Sequence, residues 1–237
     1  MRKKRMGLRL EQRTTQVQTL RQRRVVLVTS LVLLLLFGGI FLINMSQHEE
    51  AMAANTVTWT NGTGNGNWND AGNWSTGAIP GTNDIATFNT TTSNCLINAN
   101  ISISGIAITS SYTGTVTQQN GKTITLAASG FNQAGGTFNG GTSTIDINSG
   151  TFTLSNGTFT STAGGIYIGG NYNSNVTLFT HSGGTFNHNN GLVAIDPSVN
   201  GWAGTPTFTV DVLTNTKFYD FLYNGSTCCN TNRLATA

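Results

Sequence analysis

The sequence predicts an all-β chain wound as a parallel β-solenoid of about 24 residues per coil. Three observations predict it. The segment FNQAGGTFN at Phe131–Asn139 returns as FTHSGGTFN at Phe179–Asn187, with a third copy, FTLSNGTFT at Phe152–Thr160, between them. Four apolar columns run through all three copies without a gap: Phe131/Phe152/Phe179, Phe138/Phe159/Phe186, Ile145/Ile166/Val193 and Ile147/Ile168/Ile195. The segments are rich in Thr, Phe, Val and Ile and are punctuated by Gly and Asn, the composition of short strands and tight turns.

Within each copy, spacing assigns the elements. Ile145/Ile147, Ile166/Ile168 and Val193/Ile195 are separated by two, as one face of a strand requires. The two Phe of a copy are separated by seven, an odd number that would turn the second ring outward on a continuous strand. A corner must therefore lie between them, and Gly135-Gly136, Asn156-Gly157 and Gly183-Gly184 stand there, residues that tolerate positive φ. Three short strands and three corners per coil stack like residues at roughly 4.8 Å, the interstrand distance. The four columns are read as the interior. Copies begin 21 and then 27 residues apart, so length varies after the last apolar position.

Flanking segments keep this pattern less clearly. Ile101/Ile103, Ile106/Ile108, Val116 and Ile124/Leu126 alternate as strands do. Ile124 and Leu126 match the last two columns with a copy beginning at Ser110, where the Phe columns are missing. After Ile195, residues Pro197–Pro206 read as a loop carrying Trp202, followed by strand-like alternation at Phe208, Val210 and Val212. The predicted division is a basic segment with a signal or anchor at 1–53, a Trp-rich cap at 54–96, coils at 97–225, and a polar tail at 226–237, read as a truncated end.

Nine of the twelve Lys and Arg lie in residues 1–24, and an apolar run of 19 residues, Val25–Ile43, comes next. A basic segment before an apolar run is an export signal. The run is longer than an ordinary signal core and near the roughly 20 residues that span a bilayer. Ala51-Met52-Ala53 fits a small-x-small cleavage site, but Glu49 and Glu50 separate it from the run. A cleaved signal peptide and an uncleaved N-terminal membrane anchor are both consistent with this, and either exports the rest of the chain. Contact with the membrane is expected only through residues 25–43.

The exported part carries three basic residues, Lys122, Lys217 and Arg233, against six Asp. It lacks the clustered Lys and Arg that bind phosphate backbones, which argues against nucleic acid. Three cysteines, Cys95, Cys228 and Cys229, make no disulfide framework and show no metal spacing.

Residues 55–95 contain Trp59, Trp68 and Trp74, within Trp68-x-Asp70-x-x-Asn73-Trp74-Ser75, then Pro80, Asp84 and Phe88. Large aromatics are mostly buried, and an open solenoid end needs covering. The three rings are read as a cap, with a sugar-stacking surface as the other reading. This leader, with the F-x-x-x-G-G-T-F-N copies, resembles bacterial surface proteins of the autotransporter-passenger and haemagglutinin-like β-helix type. The resemblance covers roughly residues 55–225. It implies a right-handed β-helix, secreted or displayed on the surface as an adhesin or biofilm component. Autotransporters end in a membrane β-barrel, whereas residues 226–237 show none.

No catalytic or cofactor-binding set emerges. Polysaccharide-cleaving β-helices need clustered carboxylates or carboxylates with basic partners. Asp146 and Asp196 fall within two coils of each other but lack Lys or Arg neighbours, and they read as solvated surface groups. His181 and His188 have no further ligand at metal spacing. One surface feature repeats: Thr137/Asn139, Thr158/Thr160 and Thr185/Asn187 flank the second Phe column and point outward. This Thr/Asn ladder is the candidate recognition surface, though strand propensity and solubility alone would also select it. The expected function is a non-catalytic structural or adhesive surface protein without cofactors. Its partners would be glycans, other surface proteins or further copies through the C-terminal coil. A glycan-active lyase or hydrolase is the alternative, and an ice-binding solenoid the third.

Overall fold

The computed structural model describes residues 54–90, 92–198 and 206–224, and the backbone of a strand at Arg233–Thr236. The basic segment, the run Val25–Ile43, residues 51–53, Trp202, Cys228 and Cys229 fall outside the described residues. Among the described residues no helix is long and apolar enough to cross a membrane. A single 3-10 turn, Ala71–Asn73, is the helical content there.

The chain winds through about six coils of parallel strands. Each complete coil has a leading strand, a short strand and a trailing strand. Phe152–Leu154, Thr158–Thr160 and Ile166–Asn171 make one coil, and Val176–His181, Thr185–Asn187 and Leu192–Ser198 the next. Cross-strand partners reproduce the sequence columns: Phe131, Phe152 and Phe179 align, as do Phe138, Phe159 and Phe186. Ile145, Ile166 and Val193 form the third column, and Ile147, Ile168 and Ile195 the fourth. Short strands form a sheet of five, while leading and trailing strands belong to one sheet of twelve. The two sets merge because Ile101–Ile108 and Ile124–Gln133 each run from a trailing position into the next leading one.

The interior is an aromatic lattice. Rings of one column stack nearly parallel, with centroids 5.4 Å apart for Phe131–Phe152 and 5.1 Å for Phe138–Phe159. Rings of one coil meet edge to face across the corner, at 5.1 Å for Phe131–Phe138 and 4.9 Å for Phe152–Phe159. Both are favoured aromatic geometries, and burying each ring contributes roughly 1.5–3 kcal/mol. Phe186 is only partly buried, because it is the last ring of its column and its outer side meets Phe218 at 5.7 Å. At the corner, Gly157 has φ +83°, and a Cβ there would lie 2.5 Å from the carbonyl oxygens of Gly135 and Gly136. Backbone packs on backbone at that point, which admits no side chain.

The coil before the Phe copies begins at Ile106, not at Ser110. Ile106 pairs with Phe131 and Val116 with Phe138, so the Phe columns are present but filled by aliphatic residues. Tyr112, in the corner between them, is fully buried. Its ring lies 5.3 Å from Phe88 and its hydroxyl donates to the Ser93 carbonyl at 2.8 Å. Parallel pairing reaches further back still, through Asp84–Phe88 to Asn55–Thr58. Pro197 lies inside the trailing strand Leu192–Ser198 rather than in a loop. Its fixed φ is compatible with extended backbone, and in a parallel ladder the absence of one N–H costs one bond to one neighbour.

A fifth interior column has no counterpart in the hydropathy pattern. Phe88, Ile108, Gln133, Leu154, His181 and Val212 align two residues after the leading-strand Phe positions. Gln133 is buried there, and its Nε2 donates to the carbonyls of Gly135, Gly136 and Thr158 at 3.0, 3.3 and 3.1 Å. His181 is buried with Nδ1 2.8 Å from Thr216 Oγ1. Gln118 plays the same part at another corner, with Nε2 donating to Lys122 O and Thr144 O and Oε1 accepting from Gly141 N–H. At the corners the Gly135 and Lys122 carbonyls have no backbone donor, and the buried amides of Gln133 and Gln118 reach them.

Candidate functional site

The three leader tryptophans are interior. Trp59, Trp68 and Trp74 are 0, 0 and 2 % exposed. Trp59–Trp74 and Trp68–Trp74 make edge contacts at 5.0 and 4.6 Å, and all three rings pack on Phe88. No ring face is free for a sugar to stack on. The polar residues of the same motif hold the loop that carries the rings. Asp70 accepts from Thr63 Oγ1 at 2.9 Å, Asn65 Nδ2 at 2.6 Å and Gly72 N–H at 3.0 Å, and these hydrogen bonds pull its carboxyl below its ordinary range. Asn73 is buried; its Oδ1 accepts from Thr63 and its Nδ2 donates to Asn65 Oδ1 and Asn67 O. Trp59 Nε1 and Tyr112 Oη both donate to Ser93 O, tying the loop to the first coil.

The Thr/Asn ladder lies on the sheet of short strands. Thr137, Thr158 and Thr185 align in one column, and Asn139, Thr160 and Asn187 in the next. The structure adds a rung that sequence alignment on Phe could not find, because Thr115 pairs with Thr137 and Thr117 with Asn139. All eight side chains are partly or fully exposed. Asn187 Nδ2 donates to Thr160 Oγ1 at 3.5 Å, so the rungs barely bond to one another and their polar groups face solvent. The result is a regular, uncharged array four coils long.

A second surface feature lies on the trailing strands. Asp146, Tyr167, Ala194 and Leu222 align in one outward column, and Asn148, Gly169 and Asp196 in the neighbouring one. Small residues at Ala194 and Gly169 leave a groove of about 330 Å³ between them, bordered by Thr125, Asp146, Asn148, Tyr167 and Asp196. Tyr167 is 39 % exposed, and Leu222, 50 % exposed, continues the column. Thr144 Oγ1 donates to Asp146 Oδ2 at 2.9 Å, fixing one side of the groove. Sequence spacing puts Asp146 and Asp196 two coils apart and makes Asp146, Tyr167 and Ala194 equivalent. Spacing also aligns Asn148, Gly169 and Asp196, each one residue after the fourth column, but not the hollow that opens over Gly169.

The remaining candidates stay apart. His181 is inside the core, and His188 stacks on Tyr219 at 5.6 Å. Among the described residues no three His, Cys, Asp or Glu side chains converge as metal ligands would. Cys95 is buried against the first coil, and burial pushes its thiol well above the ordinary range.

Fold and surface together define a class: a parallel β-solenoid with a polar, uncharged ladder on one sheet and a tyrosine-bordered groove on another. No family model, curated protein or solved structure matches the chain.

Proposed function

We propose that the protein is an exported structural and adhesive solenoid, kin to surface β-helix proteins of the autotransporter-passenger and haemagglutinin-like type, wound right-handed and closed at its N-terminal end by the Trp59/Trp68/Trp74 cluster. The basic-then-apolar leader supports the destination, and anchorage or cleavage at residues 25–53 are two routes to it. The observation that carries the adhesive reading is the four-rung Thr/Asn ladder. Hydroxyls and amides both donate and accept hydrogen bonds, and a rigid core holds them at fixed spacing, which lowers the ordering cost of binding. Glycans and other surface proteins are the partners this chemistry suits, and further copies could add to the last coil by strand pairing.

Retention of the full-length protein by bacterial cells or immobilised polysaccharide tests this. Thr158→Glu with Thr160→Glu should abolish retention while the circular dichroism spectrum stays unchanged. Retention equal to wild type would remove the ladder from the mechanism.

A second reading, ice binding, draws on the two complete Thr-x-Thr rungs, Thr115/Thr117 and Thr158/Thr160, on the sheet of short strands. Thermal hysteresis of the wild type, lost in the same double variant, would establish it over adhesion.

A further inference from the structure

The groove on the trailing strands has features that the ladder lacks: an exposed aromatic ring, two carboxylates and a hollow. We infer that it is a binding subsite for an uncharged oligosaccharide laid along the solenoid axis, with one pyranose ring against Tyr167. This deepens the adhesive reading and rests on it for the protein's role, but on separate residues.

Aromatic rings present apolar faces that match the C–H face of a pyranose, while carboxylates and amides accept or share the hydroxyls at its edge. Tyr167 supplies the face. Asp146 in the coil before it, with Asn148 and Asp196 on the adjacent column, supplies the edge groups. Gly169 and Ala194 supply the room, since any larger side chain at either position would fill the hollow. The stack sets the orientation. Asp146, Tyr167, Ala194 and Leu222 lie in successive coils, roughly 4.8 Å apart, a step close to the length of one sugar unit. A chain running parallel to the axis would meet Tyr167 and then Leu222, both exposed.

Charge selects among glycans. The groove is bordered by Asp146 and Asp196, and none of its lining residues is Lys or Arg. An acidic polysaccharide would bring carboxylates against carboxylates, so uncharged hexose or N-acetylhexosamine units are the class favoured.

The test is a titration of the full-length protein with maltohexaose, cellohexaose and N-acetylchitohexaose, and with an oligogalacturonate of equal length. Saturation transfer from the tyrosine ring to the sugar identifies the contact. At least one uncharged oligosaccharide should bind in the millimolar range or tighter, and the oligogalacturonate far more weakly at low salt. Tyr167→Ala should weaken binding by about tenfold or more, the loss expected of one desolvated aromatic contact. Tyr167→Phe should retain most of it, and Gly169→Leu, which fills the hollow while keeping the ring in the sequence, should abolish it. The Thr158→Glu/Thr160→Glu variant should bind as wild type, which separates this subsite from the ladder. Binding by none of the uncharged sugars, equal binding of the oligogalacturonate, or an affinity unchanged by Tyr167→Ala each overturns the assignment. Shortening of any oligosaccharide during the titration would transfer the groove to the catalytic alternative.

Discussion

The coil that starts at Ile106 and the coils that start at Phe131 and Phe152 build one cross-section from different side chains. In the later coils two phenylalanines meet edge to face across a glycine corner. In the earlier coil Ile106 and Val116 hold those positions, and the corner between them carries Tyr112, buried against Phe88. The corner glycines record the exchange: a Cβ on Gly136 would lie 2.6 Å from the Tyr112 ring. What the fold keeps is therefore backbone register, while the residues on it differ from coil to coil. The difference also has a polar side. Phe rings need no partner, whereas Tyr112 brings a hydroxyl that must be satisfied, and Ser93 O does so.

The largest effects should come from emptying either version of the corner. Phe159→Ala and Tyr112→Ala should each cost about 3–5 kcal/mol in chemical unfolding, as buried aromatic truncations do. If the two coils fill the same volume, Val116→Phe should recover part of the loss in the Tyr112→Ala background and destabilise the wild type. Equal effects of Val116→Phe in both backgrounds would break the equivalence.

Alkali should separate the coils next. Burial raises the Tyr112 hydroxyl beyond its usual range and Tyr172 to about 12. A folded-state value above the unfolded one means stability is fully present below about pH 10, the ordinary tyrosine value. It is lost as pH rises from there through the folded-state values. Tyr112→Phe and Tyr172→Phe should each flatten this loss in a pH titration of the unfolding midpoint. The coil that starts at Phe131 contains no Tyr, Lys or Cys to titrate in that range.

At neutral pH, Tyr112→Phe should cost only about 1 kcal/mol, the net worth of one hydrogen bond, because Ser93 O still accepts from Trp59 Nε1. A loss as large as that of Tyr112→Ala would show that the hydroxyl, not the ring, holds the corner.

The smallest effect belongs to Asp70. Its folded-state value is lowered by Asn65, Thr63 and Gly72, so its contribution is present above the ordinary carboxylate value, about 4, and fades as pH falls through the lowered one. Asp70→Asn should remove that acid dependence from the leader loop, read by hydrogen exchange at Gly72, and leave the coils unchanged.

Most of the fold is legible in the sequence because the repeat is written in large apolar residues at fixed offsets. Phe131, Phe138, Ile145 and Ile147 by themselves announce a strand, a corner and another strand. The column of Gln133, Leu154 and His181 is not legible, since an amide, an aliphatic chain and an imidazole share no hydropathy. What unites them is a common depth in the coil, which only register reveals. The Ile106 coil is hidden for a related reason: its corner is longer than those of the Phe copies, and Ile106 and Val116 stand where the Phe copies have rings. Of the surfaces, the ladder is visible because outward neighbours of a core column are determined by alternation. The groove at Tyr167 is half visible: the fourth column aligns Gly169 with Asp196, but the hollow between the side chains is a matter of packing that spacing does not show.

The tryptophan cluster gives the molecule a built-in optical reporter. Trp59, Trp68 and Trp74 all lie before the coils from Ile106 to Ser198, which contain none. In a variant with Trp202→Phe, indole emission would register only the melting of that leader, while far-ultraviolet dichroism registers the whole stack. A solenoid whose coils contact only their neighbours can unzip from an end. The lag between the two signals would measure the direction and cooperativity of that unzipping in a single cuvette.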